Sequence, residues 1–251
     1  AAGSHHALYD TGAGYCVFND LAVVSHRLIA EGDASRVLIV DLDVHQGDGT
    51  ASLTAGRDDI FTLSLHAEKN FPVRKARSSL DVPLADGTDD DGYLDALDRH
   101  LPRTIAQFDP DFVLYQAGVD VHAEDKLGRL ALTSQGLLRR DTYVIEAVRS
   151  RDLPVASSLG GGYGPDPHEV GEIATAPMLR GVITALSKGR GRVLAKLAAK
   201  RQMRRNIVHE RLLDLHTRRQ RLLPWATVTA NTNDKLVVTS GSTGPRSTLA
   251  L

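Results

Sequence analysis

The stretch RVLIVDLDVHQGDG, residues 36–49, contains the pattern that decides both the fold and the candidate site. Its first seven residues are mostly aliphatic or β-branched, which predicts a short buried strand. Side chains alternate along a strand, so Asp41, Asp43 and His45 would project to the same side. The stretch therefore predicts a buried strand with two carboxylates and an imidazole at its carboxyl end.

Short β-branched runs alternate with longer segments of helical spacing along the first 187 residues. The predicted strands are Arg36–Leu42, Ile60–Leu65, Asp111–Gln116 and Leu153–Leu159. The predicted helices are Val17–Glu31, Gly92–Gln107, Thr133–Arg151 and His168–Leu186. Alternation of this kind predicts the α/β class, with a parallel β-sheet flanked by helices on both faces. Ligands of such sheets bind beyond the carboxyl ends of the strands.

The acidic residues that follow two of these strands suggest a metal site. Two carboxylates beside an imidazole would repel each other or stay unsatisfied without a cation. Asp120 follows the strand that ends at Gln116, so Asp43, His45 and Asp120 would form an O,N,O ligand set with an open position, as in catalytic zinc sites. Asp48, beside two glycines, is equally consistent with a helix cap or turn. The single cysteine excludes a zinc site built on cysteine clusters.

Two shorter motifs complete the set of candidate residues. GSHHA at residues 3–7 precedes GYCVFND at residues 14–20, although adjacent histidines alone are also consistent with the remnant of an affinity tag. LGGGYG at residues 159–164 follows a predicted strand. Its glycines would let the backbone turn tightly and approach a ligand, and would present Tyr163 there.

Composition excludes several classes of protein. The chain has 251 residues, 42% hydrophobic and 24% charged, which fits one or two folded domains with a sizeable core. No apolar run approaches the roughly 20 residues of a membrane-spanning helix, and no signal peptide is evident at the N-terminus. We therefore expect a cytoplasmic protein with no membrane partner.

The charge distribution divides the chain into two regions. Residues 1–187 contain 16 basic and 28 acidic residues, whereas residues 188–223 contain 12 basic and 2 acidic ones. We place a boundary near Gly189–Gly191, so that residues 1–187 form one domain and residues 188–251 form a basic, helix-prone extension with a polar tail. A solvated or disordered extension is the simpler interpretation, and a nucleic-acid partner is expected only through the basic stretch 188–223.

The motifs HHA, GYCVFND, DLDVHQGDGT, SLH, GVD and GGGY occur in this order between about Gly3 and Leu186. Together they resemble the zinc-dependent histone deacetylase family, a branch of the arginase/deacetylase fold. DKLGRLALT at residues 125–133 is most similar to the class IV type and its bacterial relatives. Because the family has a long segment before the histidine pair, the chain is expected to lack the N-terminal part of the domain.

The resemblance implies a role for each matching residue. The zinc ligands would be Asp43, His45 and Asp120. The catalytic group would be the paired imidazoles His5 and His6, with Asp41 behind the first and Asp48 behind the second, and the transition-state tyrosine Tyr163. A structural monovalent cation such as K⁺ would be held by oxygens of Asp41, Asp43, His45, Ser64 and Leu65. A narrow acyl-lysine tunnel would be lined by Gly14, Tyr15 and Phe71, with Leu127 near its rim.

The predicted function is zinc-dependent hydrolysis of the amide of acyl-lysine, which releases a carboxylate and the free lysine amine. The expected partner is an acylated protein lysine or a small acylated amine. Alternatives are a deacylase of small acylated polyamines or of longer acyl groups, and a truncated relative that binds metal or acyl-lysine without turnover. A dimanganese hydrolase of the arginase type is disfavoured because the sequence lacks a second complete ligand set.

Overall fold

The computed structural model describes residues 3–164 and three short strands within residues 226–250. The chain divides into two compact units, Ala1–Ser187 and Lys188–Leu251. The described part of the first unit contains one five-stranded sheet in which every neighbouring pair is parallel. In the spatial order β3-β2-β1-β4-β5, its strands are β1 (Val37–Asp41), β2 (Ile60–Ala67), β3 (Leu80–Leu84), β4 (Phe112–Gly118) and β5 (Val155–Gly160).

The register of the sheet brings the carboxyl ends of its central strands together. Asp41, the last residue of β1, lies opposite Ser64 of β2 and Gln116 of β4. Residues that follow these strands therefore meet at one edge of the sheet, as the sequence predicts for a parallel arrangement.

Each of the three longer helices begins after a side-chain cap. The helices are α1 (Asp20–Ala30), α2 (Asp48–Leu53), α3 (Asp90–Phe108) and α4 (Ser134–Arg149). Asn19 accepts a hydrogen bond from the Ala22 N–H at 2.9 Å, which starts α1 three residues later than the apolar spacing alone predicts. Asp89 and Thr133 cap α3 and α4 in the same way.

Helices cover both faces of the sheet, which confirms the predicted architecture. Leu38 and Val40 of β1 belong to the larger core, which α3 and α4 complete. Val37 and Ile39 point to the opposite face, into a smaller core that includes Leu21 of α1. The strand β1 is thus buried on both sides, as expected for the centre of a parallel sheet.

Three parts of the structure differ from the sequence prediction: the strand β3, the helix α2 and the sheet in the polar tail. The strand β3 contains Pro83, which cannot donate to a ladder hydrogen bond, and it is tolerated because β3 lies at the edge of the sheet. The helix α2 has only six residues, too few to show a periodic pattern. The polar tail forms a three-stranded antiparallel sheet of β6 (Ala226–Ala230), β7 (Leu236–Ser240) and β8 (Thr248–Ala250), where no strands were predicted.

Two sequence predictions fall on residues outside the described part. These are the helix His168–Leu186 and the basic, helix-prone stretch 188–223 with the boundary near Gly189–Gly191. No helix in the described ranges is both long and apolar enough to cross a membrane.

Candidate metal centre and active-site cavity

Asp43, His45 and Asp120 form a compact cluster at the carboxyl edge of the sheet. One ligand atom from each residue lies within 4.8 Å of the other two. His45 Nδ1 is 3.0 Å from Asp43 Oδ1 and 3.1 Å from Asp120 Oδ2. Both carboxylates are buried, and the His45 side chain is 11% exposed. Among the described residues, no other group of three or more such side chains could hold a metal ion.

The electrostatics of this cluster fit a bound cation. Burial and the Asp43 carboxylate raise the pKa of Asp120 to about 7, although His45 opposes this shift. Burial lowers the pKa of His45, but its hydrogen bonds to Asp120 and Asp43 outweigh this and raise the pKa to about 9. The cluster therefore binds protons more strongly than its free side chains would, because they balance its buried negative charge. A divalent cation can replace those protons, and two carboxylates with one imidazole are ligands that zinc accepts.

Gln116, which the sequence patterns did not single out, holds the first of these carboxylates. Its Nε2 donates to Asp43 Oδ2 at 2.9 Å and to the Gly3 carbonyl at 3.3 Å. A side chain at Gly118 would place its Cβ only 2.6 Å from Asp43 Cα, so glycine is required there. A signal was present in the sequence, because Gln116 is an amide inside the otherwise apolar run FVLYQAG.

The two adjacent histidines are each paired with a carboxylate. His5 Nδ1 lies 2.7 Å from Asp41 Oδ2, and His6 Nδ1 lies 2.6 Å from Asp48 Oδ1. Their ring centroids are 4.1 Å apart, and both residues are buried. Burial lowers the pKa of His5, but the Asp41 and Asp43 carboxylates raise it more strongly, to about 10. The pairings match those that the family resemblance implies.

The histidine segment is an integral part of the folded domain. The Thr50 N–H donates to the His5 carbonyl at 3.0 Å, and the Asn19 Nδ2 donates to the Ala7 carbonyl at 3.3 Å. A Cβ at Gly49 would lie 2.2 Å from that same Ala7 carbonyl oxygen. Packing of this kind does not fit the tag-remnant alternative, because a tag would not be matched by buried partners from two helices.

A cavity of about 270 Å³ opens beside the metal cluster. Its lining includes His5, His6, Asp43, His45 and Asp120. We call these five residues the floor.

Of the four larger side chains predicted to contact substrate, two belong to the lining of this cavity and two lie outside it. Tyr15 and Tyr163 belong to the lining, with ring centroids 6.2 Å apart. The Phe71 ring lies 5.0 Å from that of His6, and Leu127 is 42% exposed. We call Tyr15, Phe71, Leu127 and Tyr163 the mouth. Gly14 was also predicted to line the tunnel, together with Tyr15, Phe71 and Leu127. It has a φ of +50° and packs against His6, because a Cβ at Gly14 would lie 2.2 Å from His6 Cδ2.

Tyr163 retains its proton in this environment. Partial burial raises the pKa of its hydroxyl, and the Asp120 and Asp43 carboxylates add to that effect, so the pKa rises to about 12. Its backbone N–H donates to Asp125 Oδ2 at 2.6 Å. The hydroxyl is thus available as a hydrogen-bond donor at neutral pH.

The residues predicted to hold a monovalent cation lie around the carboxyl ends of β1 and β2. The Asp43 N–H donates to Asp41 Oδ1 at 3.2 Å. Ser64 lies opposite Asp41 in the sheet, and its Oγ is 2.9 Å from His66 Nδ1. Leu65 is the next residue of β2 and is fully buried. Their role in binding a cation stays a prediction, as do the catalytic roles of the floor and of Tyr163.

Arg140 of α4 was also missed, and nothing in its local sequence singles it out. It is fully buried, and its Nη1 donates to the carbonyls of Gly118 at 2.6 Å and Leu42 at 3.2 Å. Its Nε donates to Asp141 Oδ1 at 2.7 Å. One guanidinium therefore joins the two strand ends that carry the metal cluster.

Comparisons with known proteins agree with this geometry. Residues 1–177 match the histone deacetylase domain family. An uncharacterised protein of Picosynechococcus sp. is 48% identical over 170 residues, which cover 68% of this chain and 57% of that protein. Histone deacetylase 2 of Arabidopsis thaliana is 33% identical over 164 residues, which cover 64% of this chain and 42% of that protein.

A solved structure of an HDAC homologue complexed with SAHA superposes with a TM-score of 0.63 at 30% identity. The superposition covers 70% of this chain and 49% of the homologue. The chain thus spans about half the length of the relatives that it matches.

Proposed function

Because the chain belongs to the histone deacetylase family, we propose that residues 1–187 form a zinc-dependent amidohydrolase. Its substrate would be the side-chain amide of an acylated lysine in a protein, and its products would be a carboxylate and the lysine amine. One observation carries the proposal: the Asp43, His45 and Asp120 cluster shares a cavity with two imidazoles, each paired with a carboxylate.

Zinc would be held by Asp43, His45 and Asp120. When bound there, it would supply a Lewis acid that polarises the amide carbonyl and makes water more acidic. Gln116 and the Val44 N–H contribute by orienting the carboxylates, since they donate to Asp43 Oδ2 and Asp120 Oδ1 at 2.9 Å each. Such contacts to ligand side chains fix their orientation and strengthen metal binding.

The histidine pair would move the protons. Asp41 and Asp48 accept from Nδ1 of His5 and His6, which leaves Nε2 of each ring available for proton exchange in the cavity. One imidazole would remove a proton from the attacking water, and one would later protonate the leaving amine. The carboxylates fix the tautomer and the ring orientation in both steps.

Tyr163 would stabilise the developing oxyanion. Its hydroxyl keeps its proton because the pKa is raised to about 12, so it can donate to the carbonyl oxygen as negative charge builds up. Gly14, Tyr15, Phe71 and Leu127 would contact the acyl-lysine chain. Oxygens of Asp41, Asp43, His45, Ser64 and Leu65 would hold a structural monovalent cation such as K⁺.

The decisive experiment measures zinc content and turnover on the same preparation of the full chain. We expect about one zinc per chain and hydrolysis of an acetyl-lysine peptide, with faster turnover than of an acetylated polyamine or of a peptide with a longer acyl group. His45→Ala should lose both zinc and turnover, whereas the control His26→Ala, remote from the cluster, should retain both.

Three results would overturn the proposal in different ways. Faster hydrolysis of the acetylated polyamine, or of the peptide with the longer acyl group, would assign that compound as the substrate in place of acetyl-lysine. Zinc without turnover of any of the three would indicate a binding relative. A chain without zinc would reject the metal site itself.

A further inference from the structure

One carboxylate in the loop after Asp120 accepts three backbone hydrogen bonds. Asp125 Oδ1 accepts from the N–H groups of Leu127 at 2.8 Å and Gly128 at 2.9 Å. Its other oxygen, Oδ2, accepts from the Tyr163 N–H at 2.6 Å. The first two bonds shape the loop itself, while the third reaches 38 residues along the chain. Asp125 therefore connects this loop to the turn after β5.

The loop is anchored separately to the metal cluster. The Asn70 Nδ2 donates to the Leu127 carbonyl at 2.6 Å and lies 3.5 Å from His45 Nε2. Gly128 packs against Asp120, because a Cβ at Gly128 would lie 2.0 Å from the Asp120 carbonyl oxygen. The loop is thus held next to two metal-ligand candidates, His45 and Asp120. The hydrogen bond from the Tyr163 N–H to Asp125 ties Tyr163 to this anchored loop.

The backbone before Tyr163 needs such a contact. Three glycines precede it, and Gly161 and Gly162 have φ values of +56° and +101°. Glycine backbone has more accessible conformations than any other, so this segment does not hold the tyrosine in place by itself. A hydrogen bond from the Tyr163 N–H to a carboxylate restricts the conformations from which its ring can enter the cavity.

We propose that Asp125 is a positioning residue, which sets the place of the Tyr163 hydroxyl and of Leu127 through one carboxylate. This inference rests on the proposed hydrolase function, and it assigns Asp125 no contact with substrate or metal. Its loss should lower kcat through Tyr163 and leave zinc binding unchanged.

The test compares Asp125→Asn with a matched control in the zinc-loaded full chain. The asparagine keeps the shape but offers one acceptor oxygen in place of two. Displacing a group that stabilises the transition state by about 1 Å can cost about 100-fold, so we expect kcat to fall by about 10- to 100-fold. Zinc affinity, measured by competition with a chelator, should not change. Asp86→Asn, which removes the charge from the exposed contact with Arg129, should leave kcat unchanged.

A double-mutant cycle separates positioning from general damage to the fold. In a Tyr163→Phe background the hydroxyl is absent, so adding Asp125→Asn should lower the remaining activity by less than about 2-fold. The same loss in both backgrounds would show that Asp125 does not act through Tyr163. If Asp125→Asn folds poorly, Asp125→Ser removes the bond to Tyr163 and keeps a hydroxyl that can accept from Leu127.

Amide hydrogen exchange gives a readout that needs no turnover. Exchange at the Tyr163 N–H should accelerate in Asp125→Asn and stay unchanged in Asp86→Asn. If the chain hydrolyses no acylated amine, the proposed function fails, and exchange still decides whether Asp125 holds Tyr163. Unchanged exchange at Tyr163 would overturn the inference even in an active enzyme.

Discussion

The floor and the mouth of the cavity are built in different ways. Floor residues such as Asp43, Asp120 and His5 are 0% to 4% exposed, whereas in the mouth Tyr163 is 38% and Tyr15 is 89% exposed. Floor side chains take hydrogen bonds from strands and helices distant in sequence, while the mouth consists of exposed side chains on loops. For the proposed hydrolase we therefore expect the floor to govern metal binding and stability, and the mouth to govern substrate recognition.

The largest effect should follow from removing a metal ligand in the floor. Asp43→Ala takes away one of two carboxylates and leaves too few ligands for tight binding, so zinc should be lost altogether and turnover with it. Elemental analysis of the purified variant measures this. Asp10→Ala, an exposed carboxylate outside the cavity, serves as the control and should keep about one zinc. Normal zinc content in Asp43→Ala would remove this residue from the ligand set.

Replacing His6 should separate chemistry from metal binding within the floor. Loss of a general acid or base lowers turnover by about 10²- to 10⁴-fold, so His6→Ala should reduce kcat by that factor. Zinc content should stay normal because His6 is hydrogen-bonded to Asp48 and to none of the three ligands, and meets only the ring edge of His45, with centroids 5.9 Å apart. Turnover equal to that of the unmodified chain would contradict the proposed role.

Substitution of Arg140 tests whether the stability of the floor depends on contacts from the distant helix α4. Arg140→Met leaves Asp141 without its charged partner and removes the guanidinium donor from the Gly118 and Leu42 carbonyls, of which Leu42 keeps the Tyr93 hydroxyl at 3.5 Å. Breaking a buried pair in this way costs about 3–5 kcal/mol in the free energy of unfolding, measured in urea.

The neighbouring Arg139 provides the matched control. Arg139→Met removes an exposed contact to Asp91 and should cost at most about 1 kcal/mol. Equal losses of unfolding free energy in the two variants would mean that the buried contacts of Arg140 stabilise the fold no more than the exposed contact of Arg139.

The stability of the metal-free protein should depend on pH through the floor histidines. The folded-state pKa of His5 is about 10 and that of His45 about 9, both above the ordinary value of 6.5. A raised histidine pKa stabilises the fold fully below pH 6.5, and this contribution is lost as pH rises through 9 to 10.

Urea midpoints in the presence of a chelator should therefore be lower at pH 9.5 than at pH 6.5. His5→Gln should weaken this dependence, because it removes one of the two titrating groups. Midpoints that do not change between the two pH values would contradict the proposed charge balance in the floor.

The smallest effect is expected in the mouth. Tyr15→Ala removes an exposed aromatic ring, and aromatic contacts contribute about 0.5–1.5 kcal/mol, so KM for an acyl-lysine peptide should rise about 2- to 10-fold. The value of kcat and the zinc content should stay constant. Tyr9→Ala removes an equally exposed ring outside the cavity lining and is the control. A large fall in kcat for Tyr15→Ala would place this residue in the chemistry.

Much of the fold could be predicted from local sequence patterns. Four of the five strands of the parallel sheet and three of its four described helices follow from hydrophobic spacing, because each pattern lies within a few residues. The strand β3 could not be predicted in this way because it contains Pro83, a residue that is untypical of strands. The helix α2 could not be predicted because six residues are too few to show a helical period.

The sequence by itself determined the candidate ligands. Alternation along the predicted strand and its continuation places Asp41, Asp43 and His45 on one side, although β1 itself ends at Asp41, and the position of Asp120 after a neighbouring strand adds the third ligand. The tertiary structure decided what holds them: Gln116 reaches Asp43 over 73 residues, and Arg140 reaches Leu42 over 98. Side-chain periodicity is local and visible in the sequence, whereas these partners depend on sheet register and helix packing, which bring together residues that no local pattern relates.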